Sequence, residues 1–85
     1  MNTEYDVTKT LDVKGQSCPM PVVKSKQAAD DLSEDEVLEV VATDSGSMSD
    51  IEGWANTTDG VELLDQAETE EGGEAVFKHY IRKTE

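Results

Sequence analysis

The chain has 85 residues, of which 20 are acidic and 7 basic, giving a formal net charge of −13. A chain of this length forms one domain with a modest core, and its single cysteine excludes an internal disulfide. The excess of carboxylates disfavours high-affinity nucleic-acid binding, because phosphate contacts supply most of that affinity. No apolar stretch is long enough to cross a membrane, and no signal-peptide segment is present. We therefore expect a cytoplasmic monomer without membrane insertion.

The first predicted element is a short strand. Residues 1–8 are polar and lack hydrophobic periodicity, so we predict a flexible N-terminal extension there. Residues 10–13 alternate between polar and apolar side chains and are followed by Gly15, which is typical of a strand leading into a turn. The predicted organisation is an extension over residues 1–8 and one folded domain over residues 9–85.

The only cysteine follows this turn, in the motif Cys18-Pro19-Met20-Pro21. Proline suits the first position of a helix, so Pro19 places Cys18 at the N-cap, facing the free amides of the first turn. Pro21 has no N–H, which leaves the Met20 amide to donate to the sulfur. The helix dipole favours the thiolate, so we predict a nucleophilic cysteine. The alternative is a cysteine buried for packing, as free cysteines usually are.

Hydrophobic periodicity predicts a helix and a central strand next. Residues 19–32 place Val22, Ala29 and Leu32 on one helix face. Residues 36–43 are rich in strand-forming residues and largely apolar, the composition of a strand that is buried on both faces of a sheet.

A second helix and a hairpin are predicted in the rest of the chain. The sequence Ser-Met-Ser-Asp at residues 47–50 predicts a capping box, in which the Ser47 hydroxyl and the Asp50 carboxylate bond each other's neighbouring amides. The helix that it opens ends near Gly60. Residues 61–69 and 75–82 predict two strands joined by a Gly-Gly hairpin turn.

The predicted element order is therefore β-α-β-α-β-β. Right-handed crossovers between consecutive parallel strands put both helices on the same face of one sheet. We predict an α+β fold: a two-layer sandwich with a mixed four-stranded sheet and two helices on one face. In this fold Cys18 lies at the sheet edge, where a partner's cysteine can reach it.

Other candidate functional residues are few. His79 is interpreted either as a hydrogen-bonded structural histidine or as a catalytic partner of Cys18. One cysteine and one histidine are too few ligands for zinc, and no phosphate-binding loop is present, so we expect no metal and no cofactor. Asp44 and Asp50 have local roles at a strand end and a helix start. Trp54 falls at helical spacing and is predicted to lie in the core.

The basic residues are unevenly distributed. Lys14 and Lys24 lie near Cys18 in the sequence, and Arg82 and Lys83 lie in the last predicted strand. One interpretation is a positive field that stabilises the thiolate and contacts an acidic partner face; the other is a set of ordinary solvated side chains. The carboxylates are spread along the chain, as in proteins of salt-loving organisms, where ions screen the self-repulsion.

Several of these segments resemble the TusA/SirA/YedF family of small sulfur-carrier proteins. The resemblance rests on Leu11-Asp12, Gly15 and the Cys-Pro-x-Pro motif at 18–21, and it continues at Asp44, Asp50-Ile51, Gly53-Trp54 and Ile81-Arg82-Lys83. It covers about residues 10 to 83, nearly the whole chain. The family often has proline and arginine where this chain has Ser45 and Ser49, so this loop lacks the family's usual arginine.

The resemblance implies a fold, an activity and a set of partners. The fold is similar to the C-terminal domain of bacterial translation initiation factor three. The implied activity is that of a sulfurtransferase, in which Cys18 accepts sulfane sulfur as a persulfide and relays it to a partner protein's cysteine. The supporting motif residues would be Gly15, Pro19, Met20, Pro21 and Lys14. The expected partners are a cysteine desulfurase or another sulfur donor, and a downstream acceptor serving tRNA thiolation, molybdenum-cofactor synthesis or other sulfur metabolism. The alternative is a non-catalytic regulatory or protein-binding module with the SirA-like fold.

Overall fold

The computed structural model describes residues 7–16 and 20–85. In these residues the elements follow the predicted order: β1 (Val7–Asp12), α1 (Met20–Asp30), β2 (Val37–Ala42), α2 (Ser47–Thr57), β3 (Val61–Glu71) and β4 (Glu74–Lys83). The strands form one sheet in the order β1-β2-β4-β3, with β1 parallel to β2 and the other neighbours antiparallel. The predicted α+β fold is confirmed. No helix in the described part of the chain is long and apolar enough to cross a membrane.

The hydrophobic core lies between the sheet and the two helices. Leu38 and Val40 of β2 point into it, together with Ile51 of α2 and Ile81 of β4. Each of these side chains is fully buried, which stabilises the fold by about 1.5–3 kcal/mol per side chain. In β2 only Glu39 is not buried, as expected for a central strand.

The start of β1 and the end of α1 differ from the prediction for identifiable reasons. β1 begins at Val7, which pairs with Val37 of β2, so the predicted boundary after residue 8 is too late. The polar composition of these residues does not indicate a strand. β1 is an edge strand, however, which joins the sheet through its backbone and leaves polar side chains exposed. α1 ends at Asp30 rather than residue 32, because the Asp31 and Leu32 amides donate to carbonyls only three residues earlier.

The predicted hairpin is confirmed. β3 and β4 are joined by Gly72 and Gly73, whose φ values are 59° and 82°. Positive φ at both central residues is the pattern of a type I′ hairpin turn, and glycine adopts it without steric cost. Both strands are longer than predicted. Phe77 pairs with the last residue of β2, so the part of β4 before Phe77 extends beyond the end of β2 and pairs with β3 alone.

Candidate functional site

Two loops meet at the edge of the sheet where the chain leaves β1 toward α1. Cys18 and Pro19 lie outside the described residues, while Gln16 before them and Met20 after them are described. β1 and β2 are parallel, so their C-terminal ends lie at the same edge of the sheet. The site loop (residues 13–16), which follows β1, therefore adjoins the crossover loop (residues 43–46), which follows β2.

The site loop is closed on itself by two local hydrogen bonds. The Lys14 amide donates to Asp12 Oδ1 at 2.9 Å, and the Gln16 amide donates to the Val13 carbonyl at 3.1 Å. The first of these bonds lowers the pKa of the exposed Asp12 carboxyl, since it stabilises the carboxylate. The Lys14 ammonium lies 3.5 Å from the second oxygen of the same carboxylate. Lys14 is thus already paired, and its predicted support of Cys18 stays a prediction.

Two further bonds tie the site loop to β2 and the crossover loop. The Val13 amide donates to the Val41 carbonyl at 2.8 Å, which continues the parallel ladder one residue beyond β1. The Gly15 amide donates to the Thr43 hydroxyl oxygen at 2.9 Å. All four site-loop amides are therefore occupied, so they are not donors for a neighbouring anion.

The first turn of α1 is different, because the first amides of a helix have no intrahelical acceptor. Pro21 has no amide hydrogen, so Met20 supplies the N–H group nearest the helix start among the described residues. No acidic residue lies in this turn to compensate the helix dipole. Pro21 itself is buried, and its carbonyl accepts a 2.6 Å bond from the Ser25 hydroxyl, so this proline also packs the helix onto the sheet.

The start of α1 also presents an apolar surface that the sequence analysis did not identify. Met20 and Val23 are the exposed large hydrophobic residues of the described chain, at 40% and 38% exposure. Three residues apart on a helix, they are neighbours on its outer face, and Met20 belongs to the cysteine motif itself. The signal was present in the sequence: apolar residues facing away from the predicted core stripe.

His79 is a buried structural histidine, as the first interpretation predicted. It is 0% exposed, with Nε2 3.1 Å from the Ser47 hydroxyl and Nδ1 3.0 Å from the Gln66 side-chain nitrogen. Gln66 also donates to the Met48 carbonyl at 2.8 Å, which fixes its amide group with the nitrogen toward the ring. Nδ1 therefore accepts a bond, and Nε2 carries the proton and donates to Ser47.

This arrangement excludes His79 as a base for Cys18. Both ring nitrogens have other partners, and the nitrogen without a proton is occupied by the Gln66 amide. Burial lowers the pKa of His79 from 6.5 to about 4, because the charged imidazolium would lose its hydration. The interpretation as a Cys–His catalytic pair is wrong.

The predicted capping box is also wrong. The N-cap of α2 is Gly46, with no side-chain capping bond, and the Ser47 hydroxyl is turned inward to His79. Asp44 organises the turn instead: its Oδ1 accepts from the Gly46 amide at 3.1 Å and its carbonyl accepts from the Ser47 amide at 2.9 Å. The buried imidazole N–H has no water available, so Ser47 satisfies it rather than an amide at the surface.

The basic residues do not form one cluster. The Arg82 guanidinium pairs with Glu62, and the Lys83 ammonium donates to the Ala29 carbonyl near the end of α1 at 2.9 Å. Ala29 is about 14 Å along the helix from Met20, so Arg82 and Lys83 lie away from the site edge. The idea that these two residues add to a positive field near Cys18 is not supported. Lys24 is half-buried on α1, close to the site.

Trp54 packs against the core, as predicted, although its indole N–H is buried without a hydrogen-bond partner. The described residues contain no group of three or more histidine, cysteine or acidic side chains that could hold a metal ion.

Comparisons with known proteins agree with this architecture. The sequence model of the family "Sulfurtransferase TusA" matches residues 9–83. The chain is 68% identical over 84 residues to a candidate sulfur carrier protein of Halobacterium salinarum, covering 99% of each protein. It is 38% identical over 79 residues to the sulfur carrier protein TusA of Allochromatium vinosum, covering 93% of this chain and 97% of the relative. The crystal structure of a SirA-like protein from Desulfitobacterium hafniense has a TM-score of 0.68 at 27% identity, covering 91% of this chain and 99% of that one.

Proposed function

Because the chain belongs to the TusA sulfurtransferase family, we propose that it accepts sulfane sulfur on Cys18 and passes it to a cysteine of a partner protein. The observation that supports this proposal most directly is the first turn of α1. It begins within the cysteine motif, at Met20, its first amides have no intrahelical acceptor, and it contains no carboxylate. Such a helix start stabilises a thiolate or a persulfide anion next to it.

The proposed chemistry is two thiol exchanges with no net oxidation. The Cys18 thiolate attacks the terminal sulfur of a donor persulfide; a new S–S bond forms, the donor's S–S bond breaks, and the donor leaves as a thiolate. In the second step an acceptor thiolate attacks the terminal sulfur held on Cys18. The bond between the two sulfurs breaks, the acceptor becomes the persulfide, and Cys18 returns to the thiolate.

The proposed partners are proteins that present a sulfur atom to this edge. A cysteine desulfurase is one donor that fits, and the acceptor is a protein with a reactive cysteine. The exposed Met20 and Val23 side chains support direct protein contact beside Cys18, since desolvating them favours association. Lys24, on the same helix, remains a candidate partner contact.

The test is sulfur loading of the intact protein. Incubation with a cysteine desulfurase and cysteine, or with polysulfide, should raise the mass by one sulfur atom, and a reductant should remove it. Cys18→Ser is the matched control, because it removes the only thiol and changes one atom. A loaded protein should then convert a partner thiol to a persulfide.

Two outcomes would contradict the proposal. Mass labelling that persists in the serine variant would place the sulfur elsewhere. A wild-type protein that neither loads nor transfers sulfur, while still binding partner proteins, would favour the alternative of a non-catalytic binding module.

We also infer that the protein works in the cytoplasm at high salt. The net charge of −13 supports this inference, as does the 68% identity to the protein from Halobacterium salinarum. Ions at molar concentration screen the repulsion among exposed carboxylates. Thermal unfolding should therefore occur at a clearly higher temperature in molar salt than in dilute buffer. Equal midpoints would require another explanation of the acidity.

A further inference from the structure

We propose that Thr43 is a positioning residue for the sulfur transfer: its hydroxyl oxygen, on the crossover loop, fixes the turn at Gly15 from which the chain leads to Cys18. The inference rests on the proposed function, because it concerns the same cysteine. It assigns a role to a residue that makes no contact with the reacting sulfur in the mechanism above.

The argument begins with the backbone at Gly15. Its φ is +83°, in the left-handed region, and a Cβ at this position would meet nothing within 4 Å. The Cα of Gly15 thus faces open space among the described residues, and glycine has the least conformational restriction of any residue. The position of the turn therefore depends on its hydrogen bonds.

Of the four site-loop bonds, only the one from Gly15 to Thr43 joins the turn itself to another part of the fold. The Lys14–Asp12 and Gln16–Val13 bonds join the turn only to the end of β1 and the residue after it. The bond from the Val13 amide fixes the chain as far as the end of the parallel ladder. Without the Thr43 hydroxyl, the turn at Gly15 would therefore have no bond to the crossover loop on its other side.

Thr43 is suited to this role because the segment after it is itself anchored. Asp44 accepts the Gly46 and Ser47 amides, and the Ser47 hydroxyl bonds to the buried ring of His79. His79 belongs to β4, which pairs with β2, and β2 ends at the residue before Thr43. The Thr43 hydroxyl is thus held in a fixed position at the end of β2. In the chain, α1 and β2 lie between it and the turn at Gly15 that it bonds to.

The test compares Thr43→Val with Thr43→Ser. Valine keeps the shape of threonine but removes the acceptor, while serine keeps the oxygen and removes only a methyl group. Three quantities are measured on the whole protein: the exchange rate of the Gly15 amide, the pH dependence of Cys18 alkylation, and the rate of sulfur transfer to a partner thiol. Thermal midpoints show that each variant is folded.

In the valine variant we expect faster exchange of the Gly15 amide, a Cys18 alkylation midpoint moved toward that of a free thiol, and transfer slowed by about three- to tenfold, the effect of losing one hydrogen bond. The serine variant should restore all three. If the valine variant does not fold, Thr43→Ala compared with Thr43→Ser gives the same contrast, because alanine also lacks the oxygen.

Equal alkylation midpoints and transfer rates in the valine variant, the serine variant and the wild type would overturn the inference. So would equal losses in both variants, because serine keeps the acceptor oxygen and should therefore behave like the wild type. Failure of the proposed function looks different: sulfur would not load on the wild type, whereas the alkylation and exchange measurements need no sulfur transfer and would still decide the role of Thr43.

Discussion

The two helices begin at the same edge of the sheet, each after a parallel strand, yet their first turns are built in opposite ways. α1 starts at Met20 with no acidic residue in its first turn. α2 starts at Ser47 with Asp50 in its first turn, while Asp44 accepts the two amides that precede and open the helix. The positive end of α2 is thus compensated by the chain's own carboxylates, and the positive end of α1 is left for another anion.

The difference shows that a helix N-terminus becomes a functional feature only when nothing in the chain already occupies it. α2 uses its start for stability, and the buried Ser47–His79–Gln66 network locks it to β4 and β3. α1 buries Pro21 and has no carboxylate in its first turn, whose amides lack intrahelical acceptors. Four substitutions test this contrast.

The largest effect on stability is expected from His79→Leu, which disrupts the buried network at the start of α2. Leucine fills a similar space but leaves the Ser47 hydroxyl and the Gln66 side-chain amide without their partner, which should cost about 2–3 kcal/mol of unfolding free energy. Urea unfolding at neutral pH measures it. Sulfur loading on Cys18 should persist in the folded variant. Loss of loading without loss of stability would mean that the histidine takes part in the chemistry.

The same substitution should change how stability depends on pH. Burial lowers the pKa of His79 from 6.5 to about 4 in the folded protein, so below pH 6.5 the unfolded chain binds the proton first. The wild type should therefore lose up to about 3 kcal/mol as the pH falls from about 6.5 to 4. The leucine variant should lack this part of the decline, and parallel pH profiles would contradict the assignment of a neutral buried ring.

A smaller effect on stability and a larger one on chemistry are expected from Pro21→Ala. Loss of the buried ring should cost about 1–2 kcal/mol. The alanine amide adds a donor to the first turn, which should lower the thiol pKa of Cys18 and make the thiolate a poorer nucleophile. We expect sulfur to load but to be passed on more slowly. Single-turnover transfer measured beside the thiol pKa decides this; if both match the wild type, the role of Pro21 is packing alone.

Val23→Glu would make the first turn of α1 resemble that of α2. A carboxylate there should raise the thiol pKa of Cys18 by a few tenths of a unit, the size of one charge near a helix end at low salt. Val23→Gln is the control, since it changes the same apolar side chain without adding charge. Both variants should bind the partner protein more weakly if Val23 contacts it. A shift of similar size in the glutamine variant would rule out the charge as its cause.

The smallest effect is expected from Asp50→Asn. Removing this charge from the first turn of α2 should lower the unfolding free energy by about 0.3–1 kcal/mol, less at high salt. Thermal melts at two salt concentrations measure it. A larger loss that salt does not reduce would indicate a specific hydrogen bond rather than an interaction with the helix dipole.

The sequence by itself determined the order of the elements, the two-layer fold and the position of the cysteine motif between β1 and α1. These features depend on information that lies close together in the chain. The alternation before Gly15, the apolar run of β2 and the two glycines of the hairpin each act through neighbouring residues. The same holds for the absence of carboxylates at the start of α1, which can be read from residues 20–23.

Only the tertiary structure decided which polar groups pair. The capping pattern predicts that the Ser47 hydroxyl accepts the Asp50 amide, but that amide donates to the Gly46 carbonyl at 3.0 Å. The hydroxyl bonds instead to a histidine 32 residues away, because a buried N–H must be satisfied. Arg82 and Lys83 are basic like Lys14, yet β4 carries them to the other end of the sheet. The bond from Gly15 to Thr43 spans 28 residues and exists because two parallel strands end side by side. Local patterns fix elements, whereas hydrogen-bond partners between elements depend on how those elements pack.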